Sequence, residues 1–180
     1  MERTRDNFPH ILTNDPSFTA WGWAILDGKG NVFKTGCIKT APEQKKRRIR
    51  TSDDRNRRTV EIVQQLLTLI RAHNITYILS EAPHGSQNAS AAVMIGIVTG
   101  VLTAIAECLN IPIEYYSEQD SKKAILGRKA ASKEDMIEAI NGHYEIDWTG
   151  IKYIDEAVAD ALAVHYVAIQ QSQILRILSR

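Results

Sequence analysis

The sequence predicts an α/β protein built on a mixed β-sheet, part antiparallel meander and part parallel strands, with helices on both faces. Three observations predict it. Residues 11 to 40 break into short extended runs joined by tight turns. Residues 59 to 109 pass from a helical apolar stripe to a short, continuous apolar strand and then to a long apolar helix. The remainder repeats strand and helix and closes on a further helix.

The elements follow in order. ILTND is the first expected strand, and Pro16 directly after Asp15 stops its pairing. WGWAILD is the second, apolar on both faces, with Trp21 and Trp23 expected as core side chains on opposite faces. GKGN is a Gly-Asn type turn, and VFKTGCIKT follows as the third strand. Val60, Ile62, Val63, Leu66, Leu67 and Ile70 form a stripe that predicts a helix over 59–73, ended by Asn74. ITYILSE is almost wholly apolar, as a central parallel strand is. PHGSQN is a loop. Residues 89–109 predict a helix apolar almost all round, which should be covered on more than one side. Gly96 and Gly100 are four apart on it and would let another backbone approach. Interruptions at Gly96, Thr99, Gly100, Thr103 and Glu107 favour a buried helix over a membrane span. Pro112 opens the strand IPIEYYS. A short helix over 121–126, the loop GRKAAS and a helix over 133–142 come next, with Ser132 as N-cap and Asp135 at the capping-box position. The last helix runs from about Glu156 to the C-terminus. There is no internal repeat, and residues 1–180 read as one domain.

Hydrophobic residues make up 44% and charged residues 24%, ordinary for a soluble globular chain. Cys37 and Cys108 are too few for a disulfide framework and read as reduced thiols. The polar start, MERTRDNFPH, has no apolar signal region, so a cytoplasmic protein with no membrane partner is expected. The net charge of +1 hides an uneven distribution. Residues 45–58, KKRRIRTSDDRNRR, carry +6, and the rest of the chain carries −5. A concentrated basic segment on a mildly acidic body points to a polyanion, most commonly nucleic acid.

The chemistry is carried by acids. Asp15 and Glu81 each fill the last position of an expected central strand, so neighbouring parallel strands would bring them to one edge of the sheet. Asp160 stands amid Ala157, Val158, Ala159, Ala161 and Leu162, and Glu156 four residues earlier shares its helix face. Each has an ordinary explanation by itself: Asp15 as a turn residue, Asp155 as an N-cap, Glu156 as a first-turn acid favoured by the helix dipole. Together they would repel one another, and a hard divalent cation, Mg²⁺ or Mn²⁺, relieves that repulsion. Two such ions suit phosphodiester cleavage.

In four segments taken in order, the chain resembles the RuvC-type Holliday junction resolvases, nucleases of RNase H-like fold. The segments are ILTNDPSFTAWGWAILD, ILSEAPHGSQNASAAVMIGIVTGV, EYYSEQDSKKAILGRKAASKEDM and ADALAVHYVA. The basic segment and compact length look most like the phage-type branch. The resemblance implies a Mg²⁺-dependent endonuclease acting on branched DNA, one that nicks opposed strands of a four-way junction and leaves 5′-phosphate and 3′-hydroxyl ends. It implies a homodimer through the helix 89–109. It puts Asp15, Glu81 and Asp160 at metal-ligand positions. The family usually has another acid three residues before the last; here that position is Ala157, so Glu156, or Asp155 in its place, is expected to substitute. Lys122 and Lys133 match lysines that contact DNA phosphates, and Lys133 could also act on the charge developing there. Gly85, Ser86, Gln87 and Asn88 match the DNA-facing loop. Arg47, Arg48, Arg50, Arg55, Arg57 and Arg58, with Lys123, Arg128 and Lys129, complete the expected phosphate contacts. A nuclease of the same fold with other specificity (flaps, RNA–DNA hybrids) and a non-cleaving binder of branched DNA are the rival readings; the latter draws on Ala157.

Overall fold

The computed structural model describes residues 9–43, 49–128 and 132–178. Five strands form one sheet: β1 (His10–Asp15), β2 (Ala20–Leu26), β3 (Val32–Lys39), β4 (Ile75–Glu81) and β5 (Ile113–Tyr116), in the order β3-β2-β1-β4-β5. β1, β2 and β3 pair antiparallel as a meander. β4 lies parallel to β1, and β5 parallel to β4. Parallel pairs need crossover connections. α1 (Thr51–Ala72) precedes β4, and α2 (Ala89–Leu109) joins β4 to β5. α3 (Glu118–Leu126), α4 (Lys133–Asn141), α5 (Lys152–Gln171) and α6 (Gln173–Leu178) complete the chain.

Strand side chains alternate, so each face has its own helices. Leu12, Trp21, Trp23, Ile25 and Ile78 face α1 and α2, where they meet Ile62, Leu66, Val98 and Leu102. Ala24 and Leu26 face the other way, onto α4 and α5, and Ile11, Tyr77 and Leu79 on the same face meet α5 and α6. Trp21 and Trp23 therefore share one face. Residues two apart on a strand must do so, which corrects the expectation of opposite faces. Their strand is held by a buried amide: Asn14 accepts from Trp21 Nε1 at 3.0 Å and donates to the Leu79 carbonyl at 3.1 Å.

Other elements depart from the sequence reading: α3 begins at Glu118 rather than 121 and α5 at Lys152 rather than 156, and α1, α2 and the C-terminal helix differ as follows. α1 begins eight residues before the expected start at 59. Its first turns hold no apolar period, but Asp53 and Asp54 suit the helix N-terminus, and Arg57 reaches back to Asp54 at 2.8 Å. α2 has the expected bounds but is covered on one side only, with Val98, Leu102, Ile105 and Ala106 buried and Val93 47% exposed. By length and composition alone α2 could cross a membrane. The C-terminal helix breaks at Ser172, whose hydroxyl bonds Tyr77 and accepts from Leu175 N at 3.0 Å. The capping box of Ser132 and Asp135 forms as read.

Candidate active site

Alternation places the acids. Thr13 and Asp15 point to the α5 side of β1, as Leu79 and Glu81 do on β4, and both acids end their strands at the same edge of the sheet. α5 lies against that face. Thr13 Oγ1 donates to the Ala161 carbonyl at 2.5 Å. At Gly22, the residue paired with Asp15, a Cβ atom would stand 2.1 Å from the Ala157 carbonyl oxygen. This backbone-to-backbone approach sets Asp160, one turn on from Ala157, at the rim. Lys133, the first residue of α4, donates its ammonium to Asp160.

A fourth acid joins them. β5 pairs with β4 through Glu81 and Tyr116, and Glu118 opens α3 two residues beyond. Carboxylate oxygens of Glu81 and Glu118 and an imidazole nitrogen of His84 lie within 4.8 Å of one another. The His84 ring sits between the two acids, Nδ1 4.0 Å from Glu81 and Nε2 3.4 Å from Glu118. Lys122, one turn along α3, donates to Glu118. Asp15, Pro16, Glu81, His84 and Thr99 line a small cavity of about 160 Å³ beside the cluster.

The electrostatics follow from this crowding. Burial, then the charge of Asp160, pushes the Asp15 carboxyl up to about 7. Burial, then the charges of Asp15, Asp160 and Glu118, pushes Glu81 up to about 8. Burial also raises Asp160, against the pull of Lys133. Glu118 goes the other way, held down by its bond to Lys122. Oxygen donors dominate the cluster, a set that suits hard divalent cations rather than soft ones.

These shifts make the protein pH-sensitive. Asp15 and Glu81 keep protons in the folded state that the unfolded chain releases near pH 4. Their stabilisation is complete below that pH and is lost as pH rises through their folded values. Buried His165, pushed down to about 4, has the opposite slope, but only below its ordinary value of 6.5. Between pH 6.5 and 8.5 the acids dominate. In EDTA, stability should fall by roughly 2 kcal/mol across that window, about 4–8 °C in Tm. Thermal melts in a pH series check it, and a flat profile would mean the acids are not crowded.

The other expected site residues divide. Asp155 is not an N-cap: Ile151 caps α5, and the Asp155 carboxylate accepts from Thr149 N, Thr149 Oγ1 and Gly150 N, fastening the preceding loop. Glu156 lies 3.8 Å from Lys152. Arg58 is buried and cannot face DNA. Its guanidinium donates to Thr40 Oγ1 at 2.9 Å and the Phe18 carbonyl at 3.0 Å, and stacks on the Phe18 ring, tying down the turn after Asp15. Arg57 is shared among Asp54, Glu61 and the Ala41 carbonyl. Arg55 reaches Ser90 Oγ at 2.9 Å, bridging the starts of α1 and α2. Arg50 and Lys123 are exposed, and Arg128 pairs with Asp135 at 2.7 Å. Gly85 and Gln87 are exposed beside the acids; Asn88 caps α2 by accepting from Ser90 and Ala91, and Ser86 accepts from Asn88 N. Arg47, Arg48 and Lys129 lie outside the described residues. Glu118 and His84 were not read from the sequence. The strand-end rule that found Asp15 and Glu81 could have found Glu118, two residues past the last strand.

Comparison with known proteins identifies the family. The sequence model of the family described as crossover junction endodeoxyribonuclease RuvC matches residues 11–169. Relatives of that name from Brachyspira hyodysenteriae and Petrotoga mobilis are 27% and 29% identical, the first over 83% of this chain and 87% of its own length, the second over 87% and 90%. Thermus thermophilus RuvC, solved in complex with a Holliday junction substrate, superposes with a TM-score of 0.70 at 18% identity over 90% of this chain and 96% of its own, a likeness of fold. With the family match spanning almost the whole chain, from β1 to the last turns of α5, this protein belongs to the RuvC family of crossover junction endodeoxyribonucleases.

Proposed function

We propose that the protein resolves four-way DNA junctions by paired, divalent-metal-dependent cleavage that leaves 5′-phosphate and 3′-hydroxyl ends, with Asp15, Glu81 and Asp160 as metal ligands. The observation that supports it most is that these three acids, from three distant segments, lie near enough at the carboxyl edge of β1 and β4 for the charge of Asp160 to raise Asp15 and for both to raise Glu81. Their raised pKa values express burial first and, for Asp15 and Glu81, mutual repulsion, and Mg²⁺ or Mn²⁺, two per site, would offset both. Such ions supply Lewis acidity at the scissile phosphate and ease formation of the attacking hydroxide. Lys133, kept cationic by Asp160, is placed to stabilise charge on a phosphate oxygen. The test is cleavage of four-way, flap and linear DNA with and without divalent metal. Preference for the four-way substrate, abolished by EDTA, is expected. Equal cutting of all three, or cutting in EDTA, would overturn the reading.

The phosphate backbone is held, in this reading, by Arg50, Arg55, Lys122, Lys123, Arg128 and the loop Gly85–Asn88 around the acids, joined by Arg47, Arg48 and Lys129. Arg50→Ala with Arg55→Ala should weaken junction binding roughly tenfold at low salt and lower the slope of log K against log salt by one to two, because each phosphate contact contributes about one to that slope. Fluorescence anisotropy over a salt series checks it. An unchanged slope would mean the two arginines face away from DNA.

The exposed side of α2 supports a homodimer through residues 89–109. Val93 is 47% exposed, and Gly96 and Gly100 meet nothing within 4 Å in their own chain. An apolar face of this size is costly to leave in water. Val93→Asp is expected to convert the dimer to monomer at micromolar concentration, read by analytical ultracentrifugation. We further read residues 1–180 as one cytoplasmic nuclease domain, and the compact length and basic segment 45–58 as support for the phage-type branch; the relatives named above are bacterial.

A further inference from the structure

We infer that Glu118 is the fourth carboxylate of the cation site, entering from α3 rather than from α5. The inference rests on the reading of Asp15, Glu81 and Asp160 as metal ligands and adds a residue to it. α5 has no second acid to give. Asp155 spends its oxygens on three donors of the 149–150 loop. Glu156 turns to Lys152. Ala157 carries no donor and is pressed against Gly22. Glu118 is brought to the cluster by a different route. β5 pairs with the end of β4, the Ala82 N–H donates to the Tyr116 carbonyl at 2.7 Å, and Ser117 caps α3, so the first residue of that helix is fixed next to Glu81.

A second feature points to a cation between these acids. The His84 imidazole, carried on the loop after β4, already stands between Glu81 and Glu118 and presents one nitrogen to each. The two carboxylates thus converge on a single position that a positive group can fill. The His84 side chain is 64% exposed, so it is free either to swing away or to stay as an additional nitrogen donor. Neither movement requires the sheet to shift.

The test measures metal binding directly. Mn²⁺ affinity of the full-length protein is read by isothermal titration calorimetry or by Mn²⁺ electron paramagnetic resonance, without DNA, for wild type, Glu118→Gln, Glu156→Gln and Asp15→Asn. Glu118→Gln should weaken Mn²⁺ binding about tenfold or more and raise the Mn²⁺ concentration needed for half-maximal junction cleavage by a similar factor. Its circular dichroism should match wild type and its Tm in EDTA should fall only slightly, since the ion pair with Lys122 is lost while Asp15 and Glu81 are relieved of a like charge. Wild-type affinity in Glu118→Gln, while Asp15→Asn loses Mn²⁺, would overturn the assignment and leave the three-acid site standing. The same holds if Glu156→Gln weakens binding and Glu118→Gln does not. If Asp15→Asn also binds Mn²⁺ as wild type does, the underlying cation site fails and this inference with it.

Discussion

Asp15→Asn is expected to abolish junction cleavage, by on the order of 10³-fold or more, while leaving junction binding within about twofold of wild type. The carboxylate sits at the end of β1, paired across to Gly22 and pushed up to about 7 by burial and by Asp160. The amide keeps its shape and removes its charge. The lysines, arginines and 85–88 loop proposed to hold the DNA backbone make no hydrogen bond to Asp15, so binding should survive. Stability separates the two effects. Removing one of several crowded acids should raise Tm in EDTA above pH 7, where wild type carries most of the repulsion, and should flatten the pH profile described above. A variant that is more stable, binds junctions and does not cut would place Asp15 in the chemistry. Cleavage by a clean preparation at more than a few per cent of wild-type rate would remove it from that role.

Gly22→Val is expected to have the largest structural effect of any exchange at a described glycine. The first side-chain atom would lie 2.1 Å from the Ala157 carbonyl oxygen and 2.3 Å from its carbon, both backbone of α5. Real Cβ atoms do not approach so closely, so α5 or β2 must move. The cost should be about 3 kcal/mol or more, lowering Tm by roughly 6–12 °C. α5 carries Asp160, and moving it off the sheet takes that carboxylate away from Asp15 and Glu81. Cleavage should therefore fall further than the folded fraction does, a ratio that a merely destabilised enzyme would not show. Gly85→Ala is the contrast, because nothing lies within 4 Å of its Cβ position. Its stability should stay within about 0.5 kcal/mol of wild type. Equal melting temperatures for Gly22→Val and Gly85→Ala would show that α5 is not seated where it is described.

Some of this was legible in the sequence by itself. Local pattern determined the strands, because alternation and tight-turn residues act over a few positions. It determined the bounds of α2 and the Ser132 capping box, and it placed Asp15 and Glu81 at strand ends, where a short apolar run meets a polar stop. Asp160 stood out in sequence as an acid amid Ala157, Val158, Ala159, Ala161 and Leu162.

Only the tertiary structure decided the rest, since each remaining point depends on which segments become neighbours. Glu118 lies ahead of the short helix expected over 121–126 and was not singled out in sequence; the strand order β1-β4-β5 brings it to Glu81. Arg58 reads as one charge in a basic run, yet its turn of α1 faces the sheet and its guanidinium replaces water with Thr40, Phe18 and Thr19. Glu156 reads in sequence as the acid sharing the Asp160 face and Asp155 as an N-cap, but the preceding loop claims Asp155 and Lys152 lies beside Glu156. α2 shows why apolar composition does not fix burial: its sequence is apolar all round, and the fold covers one side of it. Periodicity reports what a segment can bury, and the packing of distant segments settles what it does bury.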